Sequence, residues 1–195
     1  MDFSTRLWKS VSRLLALVLA AGLWSGAVCA AQTEGIEIRR AALTERDEGY
    51  VLEADFDIQL TPTLEEALAK GVTLTFLFEW EILRPRWYWL NERVAGGQQS
   101  YRLAYQPLTR QYRVTVGQLF TSFANLDDVV RFISRVRRPQ VADSGTFKKD
   151  QTYQAAVRLR LDITQLPKPF QVNALASRDW NIGSEWFRWS FNGPP

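Results

Sequence analysis

From Val72 to Ile82 the chain alternates. Val72, Leu74, Phe76, Phe78, Trp80 and Ile82 share one face, and Thr73, Thr75, Glu79 and Glu81 share the other, with Leu77 and Leu83 as exceptions. A two-residue period rich in β-branched and aromatic side chains predicts a strand. Its apolar density predicts a central one, with one face deeply buried and the other partly so. A membrane span is a poor alternative, since Glu79, Glu81, Arg84 and Arg86 would cost several kcal/mol each in lipid. Pro85 cannot donate to a ladder, so Arg84-Pro85 starts a turn. An aromatic strand is expected next, with Trp87 and Trp89 on one side and Tyr88 on the other.

The same period recurs along the chain. Ile36–Leu43 and Tyr50–Leu60 read as a hairpin around the charged turn Thr44–Gly49, with Glu53, Asp55 and Asp57 on the polar face of the second strand. Ser100–Tyr105, Arg110–Val116, Tyr153–Ile163, Gln171–Ala176 and Trp186–Phe191 are further strands, and Ala95-Gly96-Gly97 reads as a turn. Two segments carry helix signals instead. Thr61 caps a short helix with Pro62 in its first turn and Gly71 at its end. Asn125–Arg138 has Asp127 and Asp128 in its first turn and Arg135, Arg137 and Arg138 in its last. Leu126, Val129, Val130, Ile133 and Val136 form its apolar stripe, and Pro139 ends it. About eight strands and two short helices predict a mainly β, antiparallel two-layer sandwich-like domain. An α+β sheet with helices on one face is the alternative.

Composition changes the picture at the N-terminus. Arg6, Lys9 and Arg13 precede the apolar run Leu14–Leu23 and small residues up to Ala30-Ala31. This is the pattern of a secretory signal over residues 1–30, leaving a single exported domain over 31–195. An uncleaved anchor is the alternative, since the apolar run reaches the lower limit for a span. Cys29, the one cysteine, falls within the signal, so the domain is held by its core and not by disulfides. The signal also holds much of the formal charge of +3, which leaves the domain near neutrality at about +1. A nucleic-acid partner is not expected of such a protein, nor is a cofactor.

The chain contains no histidine. That removes the usual base near neutral pH, the Ser-His and Cys-His systems and the commonest zinc ligand. Phosphate-loop, G-x-S-x-G, S-x-x-K and calcium-loop patterns are absent as well. Carboxylates remain. Glu79 and Glu81, two apart on a strand, stand about 6.5–7 Å apart at Cα, within reach of the spacing used in glycoside hydrolysis; a solvated strand face is the ordinary reading. Glu53, Asp55 and Asp57 have oxygen ligands for a divalent cation, but pairing with Arg39, Arg158 or Arg160 on neighbouring strands is expected, and no metal.

Two surface features suit binding. Trp87 and Tyr88, with Trp80 and Trp89, form an aromatic group, and since Trp87 and Tyr88 point opposite ways on a strand, at least one of these two is expected near the surface. Arg131, Arg135 and Arg138 fall at helical spacing opposite the apolar stripe, as a basic face for an acidic partner or anionic headgroups. Trp180, Trp186 and Trp189 are read as packing for the last strand.

Several phrases together carry a resemblance: Arg84-Pro85-Arg86-Trp87-Tyr88-Trp89, Tyr101-Arg102-Leu103, Leu108-Thr109-Arg110-Gln111-Tyr112, Arg158-Leu159-Arg160-Leu161-Asp162, Leu166-Pro167-Lys168-Pro169-Phe170-Gln171-Val172 and Asp179-Trp180. Their order and spacing resemble an exported proteobacterial family of unknown function, often labelled a proline-rich signal-peptide protein. The resemblance implies a periplasmic or envelope location in a Gram-negative cell and genes lying near those of a two-component sensor kinase. It implies no catalytic residues. The function expected is therefore a non-enzymatic module that binds an envelope protein or membrane-surface component through Trp87, Tyr88, Arg131, Arg135 and Arg138. A carboxylate-dependent glycan-active enzyme using Glu79 and Glu81 is the rival.

Overall fold

The alternating central stretch is strand β3 (Leu74–Arg84). In the computed structural model, which describes residues 35–88 and 90–193, it lies between β4 (Glu92–Gln106) and β8 (Thr152–Leu161). Phe78 stands opposite Gln99 on one side and Leu159 on the other. β5 (Gln111–Val116), β6 (Leu119–Phe123) and β9 (Phe187–Asn192) complete a six-stranded sheet in the order β6-β5-β4-β3-β8-β9. A second sheet joins the predicted hairpin, β1 (Gly35–Arg46) and β2 (Gly49–Gln59), to β7 (Arg135–Ala142) in the order β1-β2-β7. Every pairing is antiparallel.

The core forms between the inner faces of the two sheets, as the alternation requires. Leu52, Ala54, Phe56 and Ile58 of β2 meet Leu74, Phe76, Phe78 and Trp80 of β3, with Val157, Leu159 and Leu161 of β8 beside them. The Phe56 and Phe78 rings meet edge-on at 6.0 Å. Further along β3, Ile82 joins Tyr50, Phe147 and Tyr153 in a smaller aromatic cluster. The fold is thus mainly β and sandwich-like, as expected. The N-terminal signal expectation lies outside the described residues.

Helix α1 (Pro62–Ala69) forms for the reasons given by the sequence: Thr61 Oγ1 accepts from the Leu64 amide at 3.3 Å, and Leu64, Ala67 and Leu68 face the core. Gly71, at φ 87°, adopts the left-handed backbone that ends the segment.

Several local expectations are corrected. The aromatic strand after Pro85 does not form; Pro85–Tyr88 is a loop and β4 starts at Glu92. Gly96 and Gly97 are not a turn but lie within β4, opposite Glu81 and Trp80. They are needed for close approach: a Cβ on Gly97 would lie 2.5 Å from Trp80 Cζ2. The long helix over Asn125–Arg138 is only α2 (Leu126–Ile133), and the arginine-rich remainder is β7. Here Val136 faces Ala54 across the ladder and Phe56 N–H donates to Ser134 O at 2.8 Å, so pairing with β2 displaces the last helical turn. Gln171–Ala176 is not a strand but part of a third helix, α3 (Lys168–Ala176), begun by the Pro167-Lys168-Pro169 segment. β6 was not anticipated.

Candidate functional site

Arg84 ends β3 and Glu92 starts β4, and the two are register partners. The loop between them is fastened at its base, where Arg84 and Arg86 both ion-pair with Glu92. Those two guanidiniums hold the Glu92 carboxyl below its ordinary range. Above this clamp the apolar side chains stand in solvent: Trp87 is 93%, Leu90 82% and Tyr88 66% exposed. The Trp87 and Tyr88 rings meet edge-on at 4.7 Å. The structure therefore exposes both predicted aromatic residues, at the tip of the β3–β4 connection.

The three predicted arginines do not form one stripe. The helix ends at Ile133, so only Arg131 is on α2, where it pairs with Asp128 at 3.5 Å. Arg135 is exposed at the start of β7, opposite Asp55. Arg138 is turned inward: its Nη1 donates to Gln99 Oε1 at 3.0 Å, and its guanidinium lies 5.5 Å from the Trp80 ring centre. It covers the core and is removed from the binding surface. Arg131 and Arg135 do come together, lining with Phe123, Asp128 and Phe132 a shallow groove of about 380 Å³.

The aromatic tip and this groove are far apart. Arg138 sits at the level of Trp80, and β7 runs from there back toward Phe56 and Phe78. The tip lies in the opposite direction, past Arg84. From Trp80 to Arg84, the end of β3, is about 13 Å at the rise of a strand.

Glu79 and Glu81 share a cavity of about 360 Å³ with Arg93, Gln98 and Trp186 on the outer face of the larger sheet. Glu79 is committed to ion pairs. Its Oε2 accepts from Arg158 Nε at 2.6 Å and Arg160 Nε at 2.9 Å, with 18% of its side chain exposed. Burial pushes its pKa up, but the hydrogen bonds from Arg158 and Arg160 outweigh burial and hold the carboxyl below its ordinary range. A carboxyl so held is a poor proton donor at neutral pH, which is the role one member of a glycosidase pair must fill. Arg158 also lies 4.6 Å from the Trp186 ring centre, so Trp186 packs on the sheet's outer face, whereas Trp180 is buried as expected. Glu53 and Asp57 pair with Arg137 and Arg39, neighbours across the ladder, while Arg158 and Arg160 serve Glu79 and not these carboxylates.

A family model described as a domain of unknown function, DUF4390, matches residues 33–190. The chain belongs to this family. No curated protein and no solved structure matches it. The DUF4390 match runs through β1 to β9, so it takes in the aromatic tip, the Arg131–Arg135 groove and the Glu79 cavity alike. It agrees with the resemblance in giving a family of unknown function.

Sequence reasoning missed part of the exposed apolar surface of this DUF4390 domain. Leu119 and Phe120, on β6, are 79% and 63% exposed, and Phe132 on α2 is 40% exposed. The signal available was Gly117-Gln118 between Val116 and Leu119, a two-residue turn with Gly117 at φ 61°.

Proposed function

We propose that this DUF4390 protein is a non-enzymatic, exported module that docks on an envelope component through the tip of its β3–β4 connection. The observation that carries the reading is the solvent-exposed group Trp87, Tyr88 and Leu90 on an ion-paired base. Burying one such side chain against a partner stabilises by about 1.5–3 kcal/mol. A clamped loop loses little freedom on binding, so more of that gain remains as affinity. Tryptophan and tyrosine at the centre of an interface are also the residues that most often dominate it.

Export is supported by the basic and apolar N-terminal pattern, and a non-enzymatic role by the absence of histidine and of cysteine after Cys29. The glycan-active reading is weaker because Glu79 is tied to two arginines. The exported region of a sensor kinase is one partner class to test, on the gene proximity that the resemblance implies.

The test is a crosslinked pull-down of the tagged protein from its native envelope, with Trp87→Ala and Arg135→Glu in parallel. A stoichiometric envelope partner kept by Arg135→Glu and lost in Trp87→Ala is expected. A partner retained by Trp87→Ala, or none captured by a folded protein, would overturn the tip as the docking site.

A further inference from the structure

Among the described residues, two sheets with open ends expose four edge strands, and three of them carry ordinary protection against pairing with another chain. β1 has a register shift between Ile38 and Arg40, with Arg39 and Arg40 beside it. β7 has Arg135, Arg137, Arg138 and Pro139, and Gln140 is in a left-handed conformation at φ 52°. β9 carries Arg188. β6 carries nothing of the kind: its sequence is Leu-Phe-Thr-Ser-Phe, without a charge, a proline or a register shift against β5. Its first four residues are exposed.

The surroundings of β6 are selective in charge. On the inner side, Phe123 and Phe132 pack at 5.4 Å between their ring centres and line the groove with Arg131 and Arg135. On the outer side, Arg113 lies 4.6 Å from the Phe120 ring centre. A strand added to β6 would send alternate side chains to these two sides. On both it would find an aromatic surface next to a guanidinium, with Asp128 as the opposing charge in the groove.

We propose that β6 is a strand-addition site whose occupant is an extended acidic segment of a partner protein, apolar at alternate positions. Its backbone pairs with the open edge of Leu119–Phe123. Its apolar side chains cover Leu119, Phe120 and Phe132, and its carboxylates meet Arg113, Arg131 and Arg135. Main-chain pairing supplies affinity in this mode and the flanking side chains supply selectivity. A neutral or basic segment lacks the second part.

The probe is a displayed library of random ten-residue peptides selected on the full-length protein, with the enriched peptide synthesised for titration. Enriched sequences are expected to alternate apolar residues with Asp or Glu. Bound peptide should slow amide hydrogen exchange along residues 119–123. Ser122→Glu places a like charge in the middle of the edge, and Arg131→Glu with Arg135→Glu reverses the groove. Each should weaken binding about tenfold or more, while Trp87→Ala leaves it unchanged. The proposal is overturned by no enrichment, by enriched peptides without acidic bias, by affinity unchanged in the charge reversal, or by β6 amides already protected through pairing with a second copy.

Discussion

Glu79 shows how one residue can be read in two ways until its neighbours are known. In the sequence it is half of a carboxylate pair; in the fold it is the shared acceptor of Arg158 and Arg160. Its folded pKa lies below the ordinary value of 4.5, so unfolding takes up a proton in acid. The stabilisation is therefore full above the unfolded pKa and is lost as pH falls through the folded one. Glu79→Gln should cost about 1–3 kcal/mol at pH 7, and the gap from the parent protein should close below about pH 4. Urea melts of both proteins across pH 3–7 check this. The glycine pair of β4 offers a second contrast. An alanine at 97 would place its Cβ 2.5 Å from Trp80 Cζ2 and 2.8 Å from Cη2, on a ring stacked over Phe78 and covered by Arg138. An alanine at 96 would meet only the end of the Arg93 side chain, which can swing away. Gly97→Ala should cost about 1–3 kcal/mol by overpacking, and Gly96→Ala within about 0.5 kcal/mol. Denaturation followed by tryptophan fluorescence separates the two.

At the scale of elements, α1 is fixed by its cap. Buried Thr61 accepts from the Leu64 amide and donates through Oγ1 to the Asp179 carbonyl at 2.9 Å, next to buried Trp180. Thr61→Val keeps the shape and removes both bonds; a loss of about 1–2 kcal/mol is expected in thermal or denaturant melts. That helix was legible because its signals are local: cap, proline and terminal glycine. β1, β2, β3 and β8 were legible because one face of each meets the core and the period of two survives. The rest depended on long-range pairing. Arg135–Arg138 continues a helical charge pattern, yet Val136 meets Ala54 and the segment becomes a strand. Phe170–Ala176 lacks a clear stripe, since α3 buries only Ala174. β6 has too few buried residues to leave a period at all. One exposed ring of Trp87 and Tyr88 was expected from an alternating strand that does not form, and the separation of Arg138 from Arg131 depended on the pairing of β7 with β2.

Across the whole molecule, packing and proposed recognition occupy different parts of the sandwich. The residues with no exposed surface are Leu74 and Phe78 of β3, Val157 and Leu159 of β8, Leu64 of α1 and Val129 of α2, and Tyr153 and Phe147 are nearly as buried in the smaller cluster. The aromatic tip projects beyond the last register pair of β3 and β4, and the β6 edge lies five strands away from β9. Side chains that touch little in the folded state contribute little to folding, so the two surfaces should be separable from stability. Trp87→Ala combined with Tyr88→Ala removes two rings that pack on one another, and its unfolding free energy should stay within about 0.5 kcal/mol of the parent. Phe78→Ala removes a single ring from between the sheets and should cost about 3–5 kcal/mol. Equilibrium denaturation of the two variants beside the envelope pull-down tests the division directly. A stable Trp87/Tyr88 variant that has lost its partner assigns the tip to recognition. A variant destabilised by several kcal/mol would return those rings to the core.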